Sequence, residues 1–270
     1  MTNHSTVRPD SMEPARGLKL EQKIVLAALF AMVALAWAWL FYSARQMHMA
    51  VTLAAGMAGM ADATPGMLPA PFLASTFLMW LLMMTAMMTP SAAPMILRYT
   101  ALGSNGAERH AVWHSLIFAM CYLLIWAVFS ALAALGQTAF AQSELIGRMA
   151  RGFGSDKFAI FLLAMVALYQ FSPIKRVCLA QCRSPRAFLD RQWQPGAGAA
   201  IRLGLSHGLH CLGCCWLLML LLFVGGVMNL AWVALLSLTV IIEKSAPPRL
   251  HAERWIAALC VLGALALMVF

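Results

Sequence analysis

Charge is what this chain has least of. Asp, Glu, Lys and Arg make up 11% of its 270 residues, against roughly 25% in a soluble domain. Apolar residues reach 62%, so the chain cannot clothe its surface in polar groups, and an ordinary water-soluble fold is excluded. Acids are scarcer than bases, 10 Asp+Glu against 19 Lys+Arg. No G-x-x-x-x-G-K-[ST] motif occurs, which excludes a P-loop ATP motor. No C-x2-C…C-x2-C pair occurs, so the standard zinc patterns are absent. The apolar runs are continuous rather than alternating, which excludes a membrane β-barrel.

What is present is a series of runs long enough to cross a bilayer, which takes about 20 residues. They fall at 24–42, 72–97, 112–135, 158–174, 203–225, 226–242 and 255–270. The expected fold is all-α: a polytopic membrane bundle of about seven helices. Residues 1–22 form a polar tail, and 23–270 a single transmembrane domain. Lys19 and Lys23 before the first run also suit a signal peptide, but the run exceeds the usual core of roughly 7–15 residues. With the N-terminus inside, fifteen of the nineteen Lys and Arg fall on cytoplasmic segments; Arg45, Arg148, Arg151 and Lys157 lie outside. This matches the positive-inside rule. The basic balance is therefore a topology signal. A nucleic-acid partner is excluded because no segment is long enough for a basic folded module, and the lipid bilayer is the expected partner.

Sulfur is unusually abundant, with 20 Met and 7 Cys. His207, His210, Cys211, Cys214 and Cys215 fall at offsets 0, 3, 4, 7 and 8. On a helix they share a stripe about 140° wide and about 12 Å long. Gly204 and Gly208 form a GxxxG at its start, which lets a neighbour approach. Cys178 and Cys182 lie four residues apart after the fourth run. They are expected near His207 and Cys211 on the cytoplasmic side, where thiols stay reduced and favour metal binding or redox chemistry. Cys121 and Cys260 read as apolar filler. Packing alone is the plain alternative for the others.

Trp80, Met83, Met84, Met87 and Met88 repeat the same offsets on the second run, and Ser91 continues the face. Pro90 and Pro94 each free a carbonyl, suggesting a kink beside thioethers. Met47, His48, Met49, Met57, Met60 and Met67 enrich the outer loop. Thioether selects Cu(I), while thiolate and imidazole also suit zinc and iron–sulfur centres. Methionine as flexible core filler is the competing explanation. His110 and His114 read as interfacial anchors rather than ligands. Glu243 is either an ion gate or the partner of Lys244 or an arginine.

Several motifs occur together: Met79-Trp80-x-x-Met83-Met84-x-Ala86-Met87-Met88-x-Pro90-Ser91; Tyr169-Gln170-x-x-Pro173-x-Lys175-x-x-Cys178-Leu179-x-x-Cys182-Arg183-Ser184-Pro185; His207-Gly208-x-x-Cys211-x-Gly213-Cys214-Cys215-Trp216-x-x-Met219; and Gly226-x-Met228-Asn229-x-x-Trp232 with Glu243-Lys244. Over roughly 72–270 the chain resembles the bacterial family of predicted metal-binding integral membrane proteins, domain of unknown function 2182. The resemblance implies a multi-pass inner-membrane protein that binds metal, without a settled activity.

The expected metal ligands are Cys178, Cys182, His207, Cys211, Cys214 and Cys215, with Met84, Met87, Met88 and Glu243 auxiliary. Copper is favoured as the ion, with zinc or iron as alternatives. A metal-delivery or membrane protein is the expected partner, and transport, delivery and sensing stay open. The competing functions are a membrane thiol–disulfide enzyme and a metal-free assembly scaffold. No catalytic residue is singled out.

Overall fold

The computed structural model describes residues 18–56, 70–105, 110–142, 155–227 and 229–269. Met57, Met60, Met67 and Met228 lie outside them, as do Arg8, Arg16, Arg109, Arg148 and Arg151 and the side chains of Met47, His48 and Met49.

Among the described residues every regular element is helical. The three long N-terminal helices are α1 (Leu20–Gly56), α2 (Ala70–Asn105) and α3 (Ala111–Gln142). The middle of the chain forms α4 (Ser155–Gln170), α5 (Pro173–Arg183) and α6 (Pro185–Gln192). The rest is α7 (Ala197–Leu220), the single turn α8 (Leu222–Gly225), α9 (Leu230–Ser245) and α10 (Ala252–Val269). Continuous apolar sequence forms helices because, in lipid, only a helix satisfies every backbone group within its own segment.

Five of these helices are long and apolar enough to cross a membrane, or six if a bent pair counts as one span. This is fewer than the seven expected from the sequence. The run at 226–242 yields α9, whose 16 residues reach only about 24 Å at 1.5 Å per residue. The run at 158–174 does not end as one helix. It breaks after Gln170, and α5 leaves at 67° to α4. The cause is local. Pro173 has no N–H to continue the ladder and disfavours a helical residue before it. Ser172 then caps the new helix, its hydroxyl accepting from the Ile174 N–H at 3.3 Å. Ser184-Pro185 opens α6 with proline again at the first helical turn, here without a side-chain capping bond. By contrast, α2 runs through Pro90 and Pro94 as one helix.

Packing places α7 at the centre. α3 and α5 both pack on it, and α2 packs against α3 and α9. An added Cβ at Gly204 would meet the Phe118 carbonyl oxygen at 2.5 Å, and one at Gly208 would meet Ile125 Cγ1 at 2.8 Å. The GxxxG thus sets the α3–α7 separation, as its small residues suggested. Gly204→Ala is expected to lower stability by about 1–3 kcal/mol through overpacking, read as a lower Tm in detergent; an unchanged Tm would contradict the close approach.

Candidate metal centre

Cys211, Cys214 and Cys215 are buried in the middle of α7. Cys214 and Cys215 both turn their thiols to the Cys211 carbonyl, at 3.1 and 2.9 Å. Cys182 on α5 comes beside Cys214. Cys178, one helical turn earlier, rests over Gly213: a Cβ there would lie 2.7 Å from its Sγ. Tyr169 pins the same spot, its hydroxyl donating to the Gly213 carbonyl. The bend at Pro173 therefore brings both α5 thiols onto the thiol face of α7. Cys178 and Cys182 stay half-buried, so the sulfur cluster grades from partly exposed to enclosed.

α2 contributes the thioether. Met84, Met87 and Met88 are fully buried, and the Met88 Sδ lies 3.9 Å from the Cys215 Sγ. Met84 and Met87 belong to the core without a recorded bond to the thiols. Trp80 sits on the same stripe but is structural. Its indole N–H donates to Gln137 at 2.6 Å, and its ring packs on Phe223.

Cys211 has two polar neighbours outside the expected ligand set. The Lys244 ammonium donates to its Sγ at 2.9 Å and to the Ser91 hydroxyl at 2.9 Å. The Tyr122 hydroxyl lies 3.1 Å from the same sulfur and donates to the Met88 carbonyl at 3.1 Å. Ser91 itself donates to the Met88 carbonyl at 2.8 Å. Helices α2, α3 and α9 thus meet at one sulfur of α7.

Glu243 faces elsewhere. Adjacent helical residues point about 100° apart, so Lys244 reaches Cys211 while Glu243 turns to α5. Its two oxygens lie 2.8 and 3.0 Å from the Lys175 ammonium, with both side chains 1% exposed. Arg183 Nε donates to the Glu243 carbonyl at 2.9 Å, and its guanidinium pairs with Glu253 at 3.3 Å. Neither of the partners expected for Glu243 from sequence, Lys244 or a side-chain arginine contact, is the one it takes.

His207 lies among aromatic rings rather than among sulfurs. It stacks on Tyr122 at 5.4 Å between ring centroids and packs near Phe118 and Phe188, and its Nδ1 has no hydrogen-bond partner among the described residues. His210 turns to the Ser206 carbonyl at 2.7 Å. His110 and His114 stand edge to face.

The donor chemistry fits a soft metal ion: thiols on two helices with a thioether beside them. Among the described residues, no three His, Cys, Asp or Glu side chains are gathered so as to hold a metal ion. The thiols of Cys214 and Cys215 are instead engaged by the backbone, both donating to the Cys211 carbonyl. All seven cysteines are free thiols, so none is locked away in a disulfide.

No curated protein and no solved structure matches the chain. The family described as copper chaperone, PpoB2, matches it over residues 77–267. That span begins at the thioether face of α2 and takes in every thiol of the cluster, and the chain belongs to this copper chaperone family.

Proposed function

We propose that the chain is a membrane copper(I) chaperone that accepts Cu(I) as cargo at its partly exposed cysteines and holds it on buried sulfur for delivery to a partner protein. The ligands in this proposal are Cys182, Cys211, Cys214 and Cys215, with Cys178 and Met88 beside them. His207, Met84, Met87 and Glu243 support the centre without binding the ion. The membrane is the bacterial inner membrane, with the cluster toward the cytoplasm.

One observation carries the reading: a buried ammonium, Lys244, sits on the sulfur of Cys211. With two of these cysteines bound as thiolates and the others as thiols, one Cu(I) leaves a net charge of minus one, and an unpaired charge is costly away from water. Lys244 offsets that charge. A cluster that served only for packing has no use for a cation at its centre. A site for a dipositive ion on two thiolates is already neutral without it. Cys214 and Cys215 exchange their carbonyl bonds for the ion, and Cys211 exchanges its contact with Tyr122.

The test is anaerobic titration of the detergent-purified chain with Cu(I) against a chromophoric chelator. One tightly held Cu(I) per chain is expected. Lys244→Met, which removes no donor atom, is expected to weaken binding by about 10–100-fold, the usual effect of losing a group that supports a ligand. A metal-free protein whose cysteines cycle with a quinone or thioredoxin would replace this reading with thiol–disulfide chemistry. A protein doing neither would be a scaffold.

A further inference from the structure

Between α2 and the α5–α6 junction lies a cleft of about 520 Å³, lined by Pro94, Arg98, Arg183, Ser184, Pro185 and Arg186. Its size is that of a small-molecule site. Three guanidinium groups meet there, and no carboxylate lines it among the described residues. Arg183 is already engaged with Glu253 and the Glu243 carbonyl. Arg98 is not satisfied in this way: its Nε is buried without a hydrogen-bond partner among the described residues. Arg186 is exposed, and the Ser184 side chain caps no helix N–H. The cleft therefore holds unmet donors and positive charge, which together specify an anion. Arginine forks match carboxylates in particular, through paired hydrogen bonds.

Chain neighbours connect the cleft to the sulfur. Arg183 follows Cys182, a half-buried residue beside Cys214. Pro94 is one helical turn beyond Ser91, which receives the Lys244 ammonium. An anion held by Arg98 and Arg186 thus shares its cleft with the residue that follows Cys182. In a reducing compartment Cu(I) travels on thiolates, so whatever brings the ion brings a thiol with it.

We propose that this cleft binds the carboxylates of a small anionic thiol that carries Cu(I), and so places the copper at Cys182. This rests on the copper function proposed above. The exchange is redox-neutral. One Cu–S bond to the carrier breaks, one Cu–S bond to Cys182 forms, and the Cys182 proton passes to the departing carrier thiolate. Copper stays Cu(I) throughout.

The experiment compares two donors to the full chain in detergent, Cu(I)–glutathione, which carries carboxylates, and Cu(I)–dithiothreitol, which carries none. The chain is wild type or R98Q/R186Q; Arg183 is left intact because it ties α5 to α9 and α10. The double variant is expected to take copper from glutathione about tenfold more slowly. Transfer from dithiothreitol is expected to stay within about twofold. Equal slowing with both donors, or no slowing with glutathione, would overturn the cleft's role while leaving the copper function standing. Loss of phosphatidylglycerol retention with unchanged glutathione transfer would assign the arginines to lipid headgroups and likewise overturn it. A wild-type chain that takes copper from neither donor would overturn the copper function and the cleft with it.

Discussion

Replacing Cys214 or Cys211 by serine is expected to abolish stoichiometric Cu(I) retention while leaving the helical fold intact. Serine is nearly isosteric and can make the same bond to the Cys211 carbonyl that Cys214 makes at 3.1 Å. What it removes is the soft donor, because a hydroxyl oxygen does not compete for Cu(I). Cys214 is the more sensitive position. It stands between the two halves of the cluster, beside Cys182 on α5 and bonded to α7's own backbone. Cys215 has Met88 at 3.9 Å and is expected to lose less. Cys121 and Cys260 supply internal controls. Cys121 packs against Gly204 on the α3–α7 seam, and Cys260 is buried in α10. Serine at either is expected to leave copper content unchanged. Copper content of the purified variants, with circular dichroism for fold, separates these outcomes. Retention by both Cys211→Ser and Cys214→Ser would remove the site from α7.

The second large effect concerns stability rather than copper. Lys175 and Glu243 form an ion pair with both partners 1% exposed. Removing one partner strands a charge in the bundle, and Glu243→Gln or Lys175→Met is expected to cost about 3–5 kcal/mol. The double change to Met and Leu removes both charges and is expected to recover most of that loss, since replacing a buried pair by apolar groups is often neutral or better. The comparison also decides the role of Glu243. If it anchors α9 to α5, the double variant binds Cu(I) once folded. If its carboxylate holds the ion, the double variant folds but does not bind. Thermal unfolding and Cu(I) titration of the same four proteins give both answers.

The features legible in the sequence were those set by spacing along one helix. The offsets from His207 to Cys215 put three buried thiols on one face of α7, and Gly204 with Gly208 gave the seam to α3. His207 shows the limit of the same argument. It is in register with Cys211, yet it is enclosed by Tyr122, Phe118 and Phe188, because what a stripe faces changes along its length. The break at residue 171 carried a signal in Ser172-Pro173, an N-cap followed by a first-turn proline, and Ser184-Pro185 repeats it. An unbroken apolar run to Ile174 masked that signal. Lys244 and Tyr122 were not legible. Each comes to Cys211 from another helix, and nothing in a one-dimensional pattern says which helices are neighbours. Arg98 was counted as a cytoplasmic cation for the same reason: its place in a cleft depends on α6 folding back beside α2.

The central claim is that Cu(I) is held on the sulfur gathered around Cys211. Copper K-edge X-ray absorption of the wild-type chain loaded with one Cu(I) tests it most directly. The account predicts an edge characteristic of Cu(I) and a first shell made only of sulfur at about 2.3 Å, the range of metal–thiolate bonds. A shell containing nitrogen or oxygen, or copper that washes out before measurement, would contradict it.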